Sequence, residues 1–158
     1  MSYLFNVDEV FEIAVEIEKN GEAFYRRAAE RVQNRRVKDA LNNLASMERD
    51  HEGAFSSLKS QLSAEEKKET TFDPAGEAAA YLKALADTRV FFKKEIDMSS
   101  PEEVLKSAMT AEKDSIAFYL GMKEMIQGQT GKTRMDEIIR EEMRHLKLLG
   151  NELMELKS

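Results

Sequence analysis

Two stretches of this chain, 94 residues apart, spell nearly the same pattern. Glu18-Lys-Asn-Gly-Glu-Ala-Phe-Tyr25 aligns with Glu112-Lys-Asp-Ser-Ile-Ala-Phe-Tyr119. The same offset lays Glu48-Arg-Asp-His51 over Glu142-Met-Arg-His145, and in both halves 30 residues separate the first Glu from the second. A chain made of two copies of one unit is expected to pair them about a pseudo-two-fold axis. That pairing would gather the two single-Glu segments and the two Glu-x-x-His segments around one centre.

Each copy reads as a helical hairpin. Apolar residues recur at steps of three and four along four segments. These run from about Val7 to Arg31, Arg35 to Leu62, Ser100 to Gln127, and Lys132 to the C-terminus. Asn6 is placed to cap the first, with Glu9 three residues on. Ser100-Pro101-Glu102-Glu103 offers a capping Ser, a Pro at the first helical position and Glu103 to complete a capping box. Gly128 and Gly131 break the pattern before the fourth segment. Links within each half are short, which makes antiparallel neighbours, whereas the link between halves, Ser63 to Ser99, is long. In it Glu65 to Lys68 reads as solvated charge, Asp73-Pro74 as a turn and Glu77 to Leu85 as a short helix. The expected fold is all-α: a four-helix bundle of two hairpins joined by a long crossover, one domain over residues 1–158.

The core stripes can be written out. They are Phe11, Ala14, Glu18, Gly21, Tyr25 and Ala28; Leu41, Leu44, Glu48, His51, Phe55, Leu58 and Leu62; Leu105, Ala108, Glu112, Ser115, Tyr119 and Met122; and Met135, Ile138, Glu142, His145 and Leu149. Each stripe is apolar except at one level, where a carboxylate intrudes, joined on two segments by His. Four ionised Glu inside a bundle would be prohibitive without compensation, and cations are the natural compensation. A Glu and a His three residues apart share one helical face, so each pair can serve one metal. Glu18 and Glu112 add terminal or bridging carboxylates. Four carboxylates balance two divalent ions, and oxygen with imidazole donors suits iron or manganese, with zinc open. The chain has two histidines, and both stand in these motifs.

Composition narrows the field further. A net charge of −6 argues against a nucleic-acid footprint. With no cysteine, thiolate metal sites and disulfides are excluded. The N-terminus shows neither the basic nor the apolar part of a signal peptide, and no apolar run is long enough to span a bilayer. A cytoplasmic location is the expectation.

In Glu18, Glu48-x-x-His51, Glu112 and Glu142-x-x-His145 the sequence resembles the di-iron domain of rubrerythrin, in the ferritin-like superfamily. The resemblance implies a ferritin-like four-helix bundle with those six residues as ligands to two iron ions. It implies an oxidoreductase that reduces hydrogen peroxide or dioxygen. Rubrerythrins usually carry a further Glu where this chain has Ser115, and a rubredoxin domain, for which no cysteine is present here. Electrons would come from an external donor such as a rubredoxin-type protein. A homo-oligomer is expected, a dimer among the options. The six-residue pattern is also similar to bacterioferritin, which makes ferroxidase or iron storage the first alternative. That family's haem-ligating Met is Arg49 here, which argues against haem. A metal-stabilised structural protein is a further class.

Other residues are open. Tyr25 and Tyr119 are either core aromatics or phenols that hydrogen-bond ligands or take part in redox chemistry. Glu22 is a candidate extra ligand. Asp50 and Arg144 could orient ligands or face solvent. Phe91-Phe92 with Lys93-Lys94 could pack the crossover or a dimer contact.

Overall fold

The structure, a computed structural model, describes residues 6–62, 76–88, 98 and 100–158. Five helices follow in order: α1 (Val7–Arg31), α2 (Arg35–Ser60), α3 (Glu77–Thr88), α4 (Pro101–Met125) and α5 (Gln129–Lys157). The short helix expected in the crossover is α3. Glu65 to Lys68, Asp73-Pro74 and Phe91 to Lys94 lie outside the described residues.

The helix starts follow local chemistry. Asn6 accepts from the Glu9 amide at 2.8 Å while Glu9 accepts from the Asn6 amide at 3.2 Å, a complete capping box. Ser100 accepts from the Glu103 amide at 3.3 Å, but Glu103 turns toward Lys106, so only half of that box forms. Asn34 caps α2 through the Val37 amide. The last helix begins three residues earlier than its apolar pattern suggests. Gly128 alone makes the break, at a positive φ of 88°. Gly131 sits inside the first turn of α5, where a Cβ would come within 2.7 Å of Ile126 Cγ2.

α1 packs along α2 and α4 along α5, while α1 also neighbours α4 and α2 neighbours α5. α3 lies against α4, where Gly121 leaves room for the ring of Tyr81; a Cβ there would stand 2.6 Å from that ring. The anticipated stripes are buried throughout, except that Leu58 and Leu62 are half-buried. A second apolar row that the strict three–four stepping left out, including Val10, Ile17, Phe24, Ala45, Val104 and Phe118, is buried as well. Helices in a globular bundle bury a wider face than a two-stranded seam does.

This core is divided. One apolar cluster gathers Phe11, Phe55, Tyr119, Met122, Met135 and Ile138. The other gathers Tyr25, Ala28, Leu41, Leu44, Leu105, Ala108 and Leu149. The six Glu and His side chains belong to neither. Among the described residues no helix is long and apolar enough to cross a membrane.

Candidate metal centre

Each of the four long helices delivers one carboxylate to the same level of the bundle. α1 brings Glu18, α2 Glu48, α4 Glu112 and α5 Glu142, and all four are at most 1 % exposed. His51 and His145 stand one turn beyond Glu48 and Glu142, so each shares its Glu's face. The two imidazoles stack, with ring centroids 5.5 Å apart and planes 20° apart.

The donor atoms fall into two overlapping groups. Glu18, Glu48, His51 and Glu142 place one donor atom each within 4.8 Å of one another; so do Glu48, Glu112, Glu142 and His145. Glu48 and Glu142 belong to both. Spacing gives each Glu-x-x-His pair to one metal and leaves Glu18 and Glu112 as the terminal or bridging carboxylates; here Glu48 and Glu142 are instead the shared ones. The structure puts the Glu-x-x-His carboxylates in the middle, with Glu18 and Glu112 on the flanks.

Every one of the six residues has one buried atom without a hydrogen-bond partner: Glu18 Oε2, Glu48 Oε1, His51 Nδ1, Glu112 Oε2, Glu142 Oε1 and His145 Nδ1. These atoms are close together but poorly aligned for mutual hydrogen bonds. His51 Nδ1 is 2.6 Å from Glu142 Oε1, and His145 Nδ1 is 3.2 Å from Glu48 Oε1. Orphaned buried polar atoms are costly, and native proteins rarely keep six in one place without a partner. An ion shared by each group satisfies them all. The donors, carboxylate oxygen and imidazole nitrogen, therefore fit a pair of metal ions.

The remaining atoms of the cluster are pinned by neighbours. Tyr25 donates 2.6 Å to Glu112 Oε1, and Tyr119 donates 2.5 Å to Glu18 Oε1. Each phenol thus crosses to the opposite hairpin. His51 Nε2 lies 2.5 Å from Glu141 Oε2, with the carboxylate as acceptor. Sequence reasoning missed Glu141. The signal was present only as the residue preceding a motif Glu, and its partner lies on the other hairpin.

The crowded charges shape each group's protonation. Burial pushes Glu48 well above the usual carboxylate range, and the charges of Glu142, Glu18 and Glu112 add to it. Glu142 is pushed up to about 8 by burial and by Glu112 and Glu18. For Glu112 burial acts upward too, but contacts with Glu142, His145 and Tyr25 outweigh it and hold it at about 2. Burial lowers both imidazoles; the adjoining carboxylates more than reverse this, raising His51 to about 11 and His145 to about 10. Burial and the nearby Glu charges raise both tyrosines, so the phenols stay protonated and keep donating.

Several candidates lie outside the cluster. Ser115, at the position of the additional rubrerythrin Glu, is buried and bonds back to the Ala111 carbonyl at 3.0 Å. Glu22 pairs with Arg26 at 3.3 Å and belongs to neither donor group. Asp50 and Arg144 are exposed.

The fold and this cluster together define a helical bundle of ferritin-like type with a buried carboxylate–histidine centre. The rubrerythrin family model matches residues 9–153, and the chain belongs to the rubrerythrin family. A solved structure from Thermotoga maritima, named as a ferritin-like diiron-carboxylate protein, shares the fold with a TM-score of 0.72 at 22 % identity. The match covers 98 % of this chain and 99 % of that one. No curated protein sequence matches the chain.

Proposed function

We propose that the chain is a di-iron oxidoreductase that reduces hydrogen peroxide, or dioxygen, with electrons from an external donor. The observation that carries this reading is the set of six orphaned atoms, one from each of Glu18, Glu48, His51, Glu112, Glu142 and His145. Glu18 and His51 would hold one iron and Glu112 and His145 the other, with Glu48 and Glu142 common to both. When bound, the iron pair supplies the two electrons that, with two protons, turn one peroxide into two waters.

The chain's own residues prepare the place. Burial of all six side chains keeps bulk water from the charges. Tyr119 and Tyr25 each occupy one oxygen of a flanking carboxylate, which leaves its other oxygen for an ion. The four carboxylates cancel the charge of two divalent ions. None of the 158 residues is a cysteine, so these residues hold no rubredoxin-type centre, and the donor would be a separate iron–sulfur centre or another reductant. Membership of the rubrerythrin family favours peroxide chemistry over mineral storage.

The test is metal analysis of protein made in iron-replete medium, followed by stopped-flow mixing of the ferrous form with peroxide and with oxygen. About two irons per chain and faster oxidation by peroxide support the reading. Oxygen-driven mineral growth would instead assign a ferroxidase. Two bound ions with no redox response would assign a structural site.

A further inference from the structure

The repeat makes the two halves of the centre equivalent in every residue of the cluster, but not in what stands behind the histidines. His51 turns Nδ1 toward Glu142 and Glu18 and turns Nε2 outward to Glu141 at 2.5 Å. Glu141 sits on α5, one residue before Glu142. Carried back by the offset of 94, its counterpart on α2 is Met47, which cannot accept a proton from an imidazole. Consistently, the His145 contacts all run through Nδ1, and among the described residues its Nε2 meets no carboxylate. Glu141 and Met47 are both partly exposed.

We propose that Glu141 is a positioning residue that makes the two metal positions unequal, with the Glu18–His51 position the tighter. This rests on the metal-binding reading above. A carboxylate on Nε2 fixes the proton there, leaves Nδ1 as the lone-pair donor facing the cluster, and holds the ring in the plane that donation needs. It also makes the imidazole a stronger donor. Outer carboxylates of this kind are worth about 10–100-fold in metal affinity. His145 has no such constraint. Among the described residues no carboxylate orients its ring from Nε2, so its position fills second and empties first.

Metal-free protein titrated with cobalt(II), followed by visible absorption and calorimetry, tests this. The wild type should bind two ions in two resolved steps. Glu141→Ala should weaken the tighter step by about 10–100-fold and bring the steps together. Glu141→Gln, which keeps an acceptor oxygen, should recover part of the loss. Met47→Glu, which builds the missing acceptor, should tighten the weaker step and leave the tighter one unchanged. In the zinc-loaded protein, ¹⁵N-detected imidazole spectra should show a protonated Nε2 for His51, and in Glu141→Ala that proton should lose its strong hydrogen-bond shift. Failure to bind cobalt at all would overturn the metal reading and this inference with it. Two equal steps in the wild type, or a Glu141→Ala titration matching it, would overturn the inference and leave the metal reading standing.

Discussion

Tyr119 on α4 donates its phenolic proton to Glu18 on α1, and the repeat returns the gesture, Tyr25 on α1 to Glu112 on α4. The bonds fix one oxygen of each flanking carboxylate, and both carboxylates are fully buried. Tyr25→Phe or Tyr119→Phe should therefore cost about 1–3 kcal/mol of stability in the metal-free protein, because the freed carboxylate oxygen stays buried and unpaired. The loss should be smaller with metal bound. Denaturant unfolding of each variant, with and without metal, measures both; equal losses in the two states would count against the phenols as carboxylate holders.

A second expectation separates residues in the cluster from their neighbours. His51→Ala and His145→Ala should each lose one ion and most redox activity. Lys19→Ala, one residue from Glu18, should retain both, since Lys19 is exposed and pairs with Glu16 at 3.6 Å on the surface. Metal content by elemental analysis is the readout. Three variants with the same metal content would remove the ligand assignment.

The metal-free protein should lose stability as pH rises from about 5.5 to 8.5. Glu142 has a folded pKa raised to about 8, so its penalty is absent below the ordinary carboxylate value and grows until about pH 8. Glu48, shifted in the same direction, adds to this. The imidazoles, raised to about 11 and 10, give stability that is complete below roughly pH 6.5 and is lost as pH climbs toward those values. Glu112, held at about 2, acts the other way, and its contribution is lost only in strong acid. Metal displaces the protons that Glu142, Glu48 and one nitrogen of each imidazole carry. The loaded protein should thus escape the alkaline loss, and the gap in melting temperature should widen with pH. Glu48→Gln should raise the metal-free melting temperature at pH 8.5, whereas Glu112→Gln should lower it. Melting curves at pH 5.5 and 8.5 decide the matter; a metal-free form that gains stability toward pH 8.5 would contradict it.

Electron supply gives the fourth expectation. With no cysteine in these residues, the ferrous protein should react once with peroxide and stop. Adding a rubredoxin-type protein or a chemical reductant should restore turnover, followed as peroxide consumed per chain. Sustained consumption without a donor would point to disproportionation of peroxide instead.

The six cluster residues and the helices that carry them could be read from spacing, because a Glu and a His one turn apart share a face whatever the helix packs against. What spacing could not show was which residue meets which across the bundle. Tyr25 lies seven residues from Glu18, a rise of about 10 Å, too far for a hydrogen bond along one helix. Its partner had to be on another helix, and only docking of the hairpins reveals that it is Glu112. Glu141 escaped for the same reason: its hydrogen bond is to His51 of the other half. The shared place of Glu48 and Glu142 in both donor groups, likewise, depends on how α2 and α5 meet. The start of α5 was misplaced because Gly131 looks like a breaker in sequence, whereas in space it is a small residue making room for Ile126.

The divided core gives the centre one more property. Neither donor group can be assembled from a single hairpin, since Glu142 completes the group around His51 and Glu48 completes the one around His145. Bound ions would therefore act as rivets between two halves that otherwise meet through separate apolar lobes. Whatever pries the hairpins apart would split both donor groups. Metal occupancy in this protein would in effect be a strain gauge for the seam between its two copies.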